Sequence, residues 1–268
     1  MTATVLLVGC GNMGRAMLKG WRDARPDLGY HVVEPSDELR AEAAALGAEV
    51  AASANDLPAS LTPDLIFLAV KPQIMTDVLP DYAGYRGVTF VSIAAGTTVE
   101  TLKSRLGADA PIIRCMPNTP AAIGAGMMVC CATEEVAADA KALTSELLAA
   151  SGVVDWIEGE ALMDAVTAVS GSGPAYVFHF IEALTDAAVT AGLPRDLAGK
   201  MALQTIMGAG RLAAESGVDP STLREQVTSP GGTTAAGLSV LRETGRLGAL
   251  LTETVEAARA RGEELGKV

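Results

Sequence analysis

Gly9-Cys10-Gly11-Asn12-Met13-Gly14 follows the apolar run Val5-Leu6-Leu7-Val8 and opens a helix-forming stretch that begins at Asn12. A GxGxxG hexapeptide alone is a weak signal. Between a strand and a helix it reads as a dinucleotide-binding turn. Gly9 permits the tight turn, Gly11 lets the backbone approach a pyrophosphate, and Gly14 lets helix and strand pack closely. The helix N-terminus, with its free N–H groups, then faces the negative phosphates. Cys10, Asn12 and Met13 fill the rest of this cofactor-binding turn.

The chain around this turn repeats the same logic. Short apolar runs at residues 5–8, 30–34, 49–52, 65–70, 89–93 and 112–115 alternate with helix-like stretches at 12–25, 37–46, 74–79 and 99–106. Strands alternating with helices imply βαβ units and a parallel sheet. Residues 64–70 and 88–93 are apolar almost throughout, the pattern of strands covered on both faces. Residues 126–132 and 153–157 read as further strands flanking a helix over 134–150. Beyond about residue 158 the strand pattern stops and helical periodicity takes over. The expected fold is therefore α/β: an N-terminal Rossmann-type, doubly wound, mostly parallel sheet over residues 1–158, then an all-α domain over 159–268.

The 268 residues carry a net charge of −12, with 49% apolar residues and 28 glycines. So apolar a chain is not disordered. A pI near 4.6 argues against a nucleic-acid footprint and against docking on an anionic membrane. No stretch reaches the ~18–20 apolar residues of a membrane helix, and the start lacks a basic signal-peptide region. Cys10, Cys115, Cys130 and Cys131 include no CxxC pair. They read as reduced thiols of a cytoplasmic protein, with no metal site.

The acidic residue expected ~20 positions after the glycines is Glu34. A carboxylate there accepts a bond from the adenosine ribose 2′-OH and repels a 2′-phosphate, which favours NADH. Ser36 and Arg40 lie close by as an alternative receptor for the phosphate of NADPH, so cofactor choice stays open. Ligands of such sheets bind beyond the carboxyl ends of the strands. That places Asn55, the turn Ala69-Val70-Lys71-Pro72, Ala95 and Gly96, and Asn118 among the expected cofactor contacts.

In the second half, Ser170-Gly171-Ser172-Gly173-Pro174 interrupts a helical pattern, and such breaks usually have a packing or functional reason. Ser229-Pro230-Gly231-Gly232-Thr233-Thr234 opens another helix, leaving free N–H groups suited to a carboxylate. The plain alternative is an ordinary capped loop, with Ser229 or Thr233 as the N-cap.

Taken together, GCGNMG, LAVKP, CMPNTP, AVSGSGPAYVF and TSPGGTTAAGL, in this order, resemble the pyrroline-5-carboxylate reductase family nearly end to end. The resemblance implies NADPH- or NADH-dependent reduction of 1-pyrroline-5-carboxylate to L-proline, the last step of proline synthesis. It also implies an intertwined homodimer, which in some members assembles into decamers. Carried to matching positions, it places the substrate at Ser172, Gly231, Gly232, Thr233 and Thr234. Thr234 is the candidate catalytic residue, hydrogen bonding the ring nitrogen. Family members often carry Ser, Thr or Asn at the end of the second strand, and Glu34 departs from that pattern. A β-hydroxyacid dehydrogenase shares the layout but requires a catalytic Lys in its first long helix, where this chain reads GSGPAYVFHF. A non-catalytic dinucleotide sensor has no reason to keep SPGGTT.

Overall fold

The computed structural model describes residues 3–266. The strands are β1 (Thr4–Val8), β2 (Gly29–Val33), β3 (Glu49–Ala51), β4 (Leu65–Leu68), β5 (Thr89–Ser92), β6 (Ile112–Met116), β7 (Gly126–Ala132) and β8 (Gly152–Trp156). They form one sheet in the order β3-β2-β1-β4-β5-β6-β7-β8. All neighbours pair parallel except β6 and β7, which run antiparallel with Cys115 opposite Cys130. The helices α1 (Asn12–Ala24), α2 (Asp37–Ala45), α3 (Pro72–Val78), α4 (Val99–Leu106) and α5 (Ala138–Ala149) connect the strands.

The two faces of β1 show why its sequence is apolar throughout. Val5 and Leu7 point into one buried cluster, with Met17, Leu18 and Trp21 of α1 and Leu147 and Leu148 of α5. Leu6 and Val8 point into the other, with Met75 of α3 and Leu102 and Leu106 of α4. A strand alternates its side chains, so one covered on both faces has no position for a polar residue. Each fully buried side chain of this size contributes roughly 1.5–3 kcal/mol. Trp21 sits between the rings of Tyr30 and Phe67, with centroids 6.2 and 4.5 Å away. The Tyr30 hydroxyl donates to the Arg25 carbonyl at 3.0 Å, fastening β2 to the end of α1.

The remaining elements are helical: α6 (Met163–Val166), a wide π-type turn over Thr167–Gly171, α7 (Gly173–Thr190), α8 (Arg195–Glu215), α9 (Pro220–Gln226), α10 (Thr233–Arg242) and α11 (Arg246–Leu265). Two compact units emerge. One runs to Ser172 and takes in the chain again from Ala258; the other is Gly173–Ala257. The sheet itself ends at Trp156. In the second unit α7 and α8 pack on each other, yet Phe178, Met201, Leu203, Met207 and Leu212 stay exposed. An apolar face of this extent marks an interaction surface. Among the described residues no helix is long and apolar enough to cross a membrane.

Candidate functional site

The turn between β1 and α1 is built as its glycines require. Gly9 has φ +90°, and a Cβ there would lie 2.9 Å from both the Ala69 carbonyl oxygen and Val70 Cγ1. Its N–H donates to the Val33 carbonyl at 2.8 Å, tying the turn to β2. A Cβ on Gly14 would strike the Gly9 carbonyl. Gly11 differs: a Cβ there would meet nothing within 4 Å. Gly11 is also the N-cap of α1, with no side chain bonded to the helix's first N–H groups. Open space in front of free N–H groups is what a pyrophosphate needs, so the residues present fit a dinucleotide. Asn12 is exposed at the start of α1, while Met13 packs partly against the core.

Glu34 directly follows β2 and is buried at 7% exposure. Its Oε2 accepts from the Cys10 N–H at 2.7 Å, and its Oε1 from the Ser36 N–H at 3.0 Å. The carboxylate is thus clamped between the glycine-rich turn and the start of α2. Burial, reinforced by Glu34, pushes the Cys10 thiol up to about 11, so it stays protonated at neutral pH. The Ser36 hydroxyl is the N-cap of α2, accepting from the Leu39 N–H. Arg40 Nη1 donates to the carbonyls of Glu34 at 2.8 Å and Pro35 at 2.7 Å, and Nη2 pairs with Asp37.

These groups border a cleft of about 570 Å³ at the carboxyl edge of the sheet, lined by Gly9, Gly11, Glu34, Ser53, Ala54, Val70, Lys71, Ile74 and Tyr82 among others. Lys71 is the N-cap of α3 and Pro72 its first residue, a position where the missing N–H costs nothing. Ala95 and Gly96 border a smaller cavity of about 260 Å³ with Pro72, Thr97 and Leu265. Gly96 has φ +73°, and a Cβ there would press on Leu265. Asn55 sits exposed in the turn Ala54–Asp56, outside the lining to which Ser53 and Ala54 contribute. Sequence reasoning missed Ser53, Ala54, Ile74 and Tyr82, since small or apolar lining carries no motif.

Asn118 has a different set of partners from those expected of a cofactor contact. Its Nδ2 donates to the Ser170 carbonyl at 3.2 Å, and its Oδ1 accepts from the Met127 N–H at 2.9 Å. It braces the wide turn Thr167–Gly171 against β7. The Ser172 N–H donates to the Thr167 carbonyl at 2.8 Å, closing that turn, and Gly171 packs on the Met116 side chain. Such wide turns inside helices recur at functional sites. Arg114, buried in β6, pairs with Glu160, which also accepts from the Val99 N–H at 2.7 Å. That lock joins residues 46 positions apart and has no local signal.

In the second unit, Gly231 has φ +73° and Gly232 is the N-cap of α10, with no side-chain cap bond. The Gly232 N–H donates to the Ser229 carbonyl at 3.0 Å. A Cβ on Gly232 would strike the Ser229 hydroxyl. The expected alternative of a Ser229 or Thr233 cap is therefore not what forms. The first N–H groups of α10, those of Thr233 and Thr234 included, have no side-chain acceptor at the cap. Neither histidine joins these sites: His31 pairs with Glu49 at 3.5 Å, and His179 with Glu182 at 3.3 Å.

Comparison with known proteins matches the two parts of the chain to two family models. Residues 160–265 match the family model for pyrroline-5-carboxylate reductase dimerisation, and residues 4–96 match that for NADP oxidoreductase, coenzyme F420-dependent. The chain is 39% identical over 272 residues to the pyrroline-5-carboxylate reductase of Escherichia coli K12, covering 100% of both chains. It is 38% identical over 269 residues to that of Pseudomonas aeruginosa, covering 99% of this chain and 98% of the relative. The solved pyrroline-5-carboxylate reductase of Coxiella burnetii superposes with a TM-score of 0.92 at 35% identity over all of both chains. That of Plasmodium falciparum, solved with NADP bound, superposes with a TM-score of 0.81 at 31% identity over 98% of both. From its first strand to its last helix, this chain belongs to the pyrroline-5-carboxylate reductase family.

Proposed function

We propose that the turn Gly231–Thr234 seats the substrate carboxylate on backbone N–H groups and that Thr234 hydrogen bonds the ring nitrogen. The reaction follows from family membership: NAD(P)H-dependent reduction of the C=N bond of 1-pyrroline-5-carboxylate, giving L-proline. When bound, the cofactor supplies the hydride, and the protein's part is to position and to stabilise charge. The observation that carries the substrate reading is the uncapped start of α10, where Gly232 supports no side-chain bond to the first N–H groups. A helix N-terminus of this kind favours an anion through both its N–H groups and its dipole. A protonated cyclic imine is already electrophilic, so the chain needs no strong acid or base beside it. The engaged histidines are consistent with that chemistry. Ser172, at the exit of the wide turn, supplies a further polar contact in this reading. Gly9 to Gly14 hold the cofactor pyrophosphate, with Ala69 to Pro72, Ala95 and Gly96 continuing the cofactor site.

The exposed apolar face of α7 and α8 supports a homodimer, and the four buried free thiols support a cytoplasmic location. Light scattering on the purified chain separates a dimer from a decamer as two or ten multiples of 27.4 kDa. The central test is steady-state oxidation of NADH and NADPH with pyrroline-5-carboxylate. Oxidation of NADH or NADPH with that imine, and no reduction of NAD+ or NADP+ with 3-hydroxyisobutyrate, is the expected result. The reverse pattern would overturn the reading in favour of a β-hydroxyacid dehydrogenase.

A further inference from the structure

We propose that Glu34 makes this enzyme select NADH over NADPH. The inference rests on reading the cleft beside the glycine-rich turn as the adenosine end of the cofactor site. Glu34 stands directly after β2, at the corner of that cleft. Its position is fixed by two backbone donors, the N–H groups of Cys10 and Ser36, one to each carboxylate oxygen. A carboxylate held in this way is an acceptor only. It keeps lone pairs on both oxygens for a ribose 2′-hydroxyl, which arrives as a donor. A 2′-phosphate would bring a second anion against a buried charge that cannot swing aside.

The residues that could compensate a 2′-phosphate are already committed. The Arg40 guanidinium is fastened to the carbonyls of Glu34 and Pro35 and paired with Asp37. Presenting it to a phosphate would break those bonds. The Ser36 N–H is given to Glu34, and the Ser36 hydroxyl, which accepts from the Leu39 N–H, brings an uncharged donor and no positive charge to offset a phosphate. Asp37 and Glu38 in the first turn of α2 add negative charge at the same corner. Lys71 lines the cleft from the end of β4, and β1 separates β4 from β2. Two strand spacings, roughly 9–10 Å, therefore lie between the strand that leads to Lys71 and the one that leads to Glu34. A carboxylate with free lone pairs and no uncommitted cation at its side accepts a diol and rejects a phosphate.

The test is equilibrium binding without imine substrate, so it does not depend on the identity of that substrate. NADH and NADPH are each titrated into wild-type protein, Glu34→Gln and Glu34→Ser, following nicotinamide fluorescence, with melting temperatures recorded for all three. Wild type should bind NADH about a hundredfold more tightly than NADPH. Glu34→Gln keeps the side-chain length and one acceptor while removing the charge, and it should bring the two affinities within about tenfold. Glu34→Ser should do the same or invert the order, chiefly by tightening NADPH. Equal affinities in wild type, or a ratio unchanged in a folded Glu34→Gln, would overturn the proposal. Failure of the wild type to bind either cofactor would overturn the reading of the cleft, and the proposal with it.

Discussion

Two glycine-rich turns begin two helices in this chain, and they are made in opposite ways. Gly9 to Gly14 is wedged into the sheet: Gly9 lies against Ala69 and Val70, Gly14 against the Gly9 carbonyl, and Glu34 grips the Cys10 N–H from the next strand. Gly231 to Thr234 has no such surroundings. A Cβ on Gly231 would meet nothing within 4 Å, and the Gly232 N–H donates to the Ser229 carbonyl within the turn. Both leave a helix N-terminus without a side-chain cap, which is what an anion site requires. In the first turn, packing enforces the conformation, so damage there reaches stability and binding together. In the second, conformation and chemistry are separable.

The largest expected effect tests the first half of that comparison. Gly14→Ala drives a methyl into the Gly9 carbonyl. It should cost about 2–3 kcal/mol of stability and abolish measurable cofactor binding. Thermal unfolding and an NADH titration read both, and a normal melting temperature with normal binding would break the comparison. Thr234→Ala tests the other half. Turnover should fall about 10²-fold, the order of effect when one hydrogen bond to the reacting group is removed. Cofactor affinity and melting temperature should stay put, and unchanged turnover would remove Thr234 from the mechanism. Gly11→Ala sharpens the contrast inside the first turn. Its methyl meets no protein atom within 4 Å, so the fold should be untouched while NADH affinity drops about tenfold. A loss of stability without a loss of affinity would contradict the assigned role.

The smallest effect is electrostatic. Below pH 9 the Cys10 thiol keeps its proton in both the folded and the unfolded chain. Between pH 9 and about 11 the unfolded thiol ionises while burial and Glu34 keep the folded one neutral, so stability declines as pH rises. Cys10→Ala should make that alkaline decline shallower. Cys131, also pushed up to about 11 by burial, should preserve part of it. A pH–stability curve identical to that of wild type would show that the first turn is less closed than its geometry implies.

Much of this fold was written in local pattern. The strand at residues 65–68 is apolar because both of its faces are covered, and a helix does open after the glycines at 231 and 232. The break expected at residues 171–174 differs in detail. Pro174 does not interrupt a helix; it lies in the first turn of α7, where its missing N–H is harmless, and the irregular part is the wide turn just before it. No residue pattern distinguishes a π-type turn from an ordinary one, because the difference lies in which carbonyl the Ser172 N–H reaches. Glu34 was legible from its distance to the glycines, whereas its bond to Cys10 needed the fold. Asn118 shows the limit most plainly. Its place beyond β6 was legible in the sequence, whereas the bonds of its amide to the Ser170 carbonyl and the Met127 N–H needed the fold.

The strand order has a consequence in time. β1 leaves the ribosome before either of the strands that flank it, yet it lies in the interior of the sheet, between β2 and β4. Val5 pairs with Leu65, so one edge of β1 stays open until some sixty further residues have been made. Parallel pairing at such separations forms slowly. During synthesis the run Val5-Leu6-Leu7-Val8 is an unpaired apolar edge, the kind of surface on which nascent chains associate with one another. Nascent chains arrested before and after residue 68 should therefore differ sharply in protease resistance, with the glycine-rich turn taking shape only in the longer one.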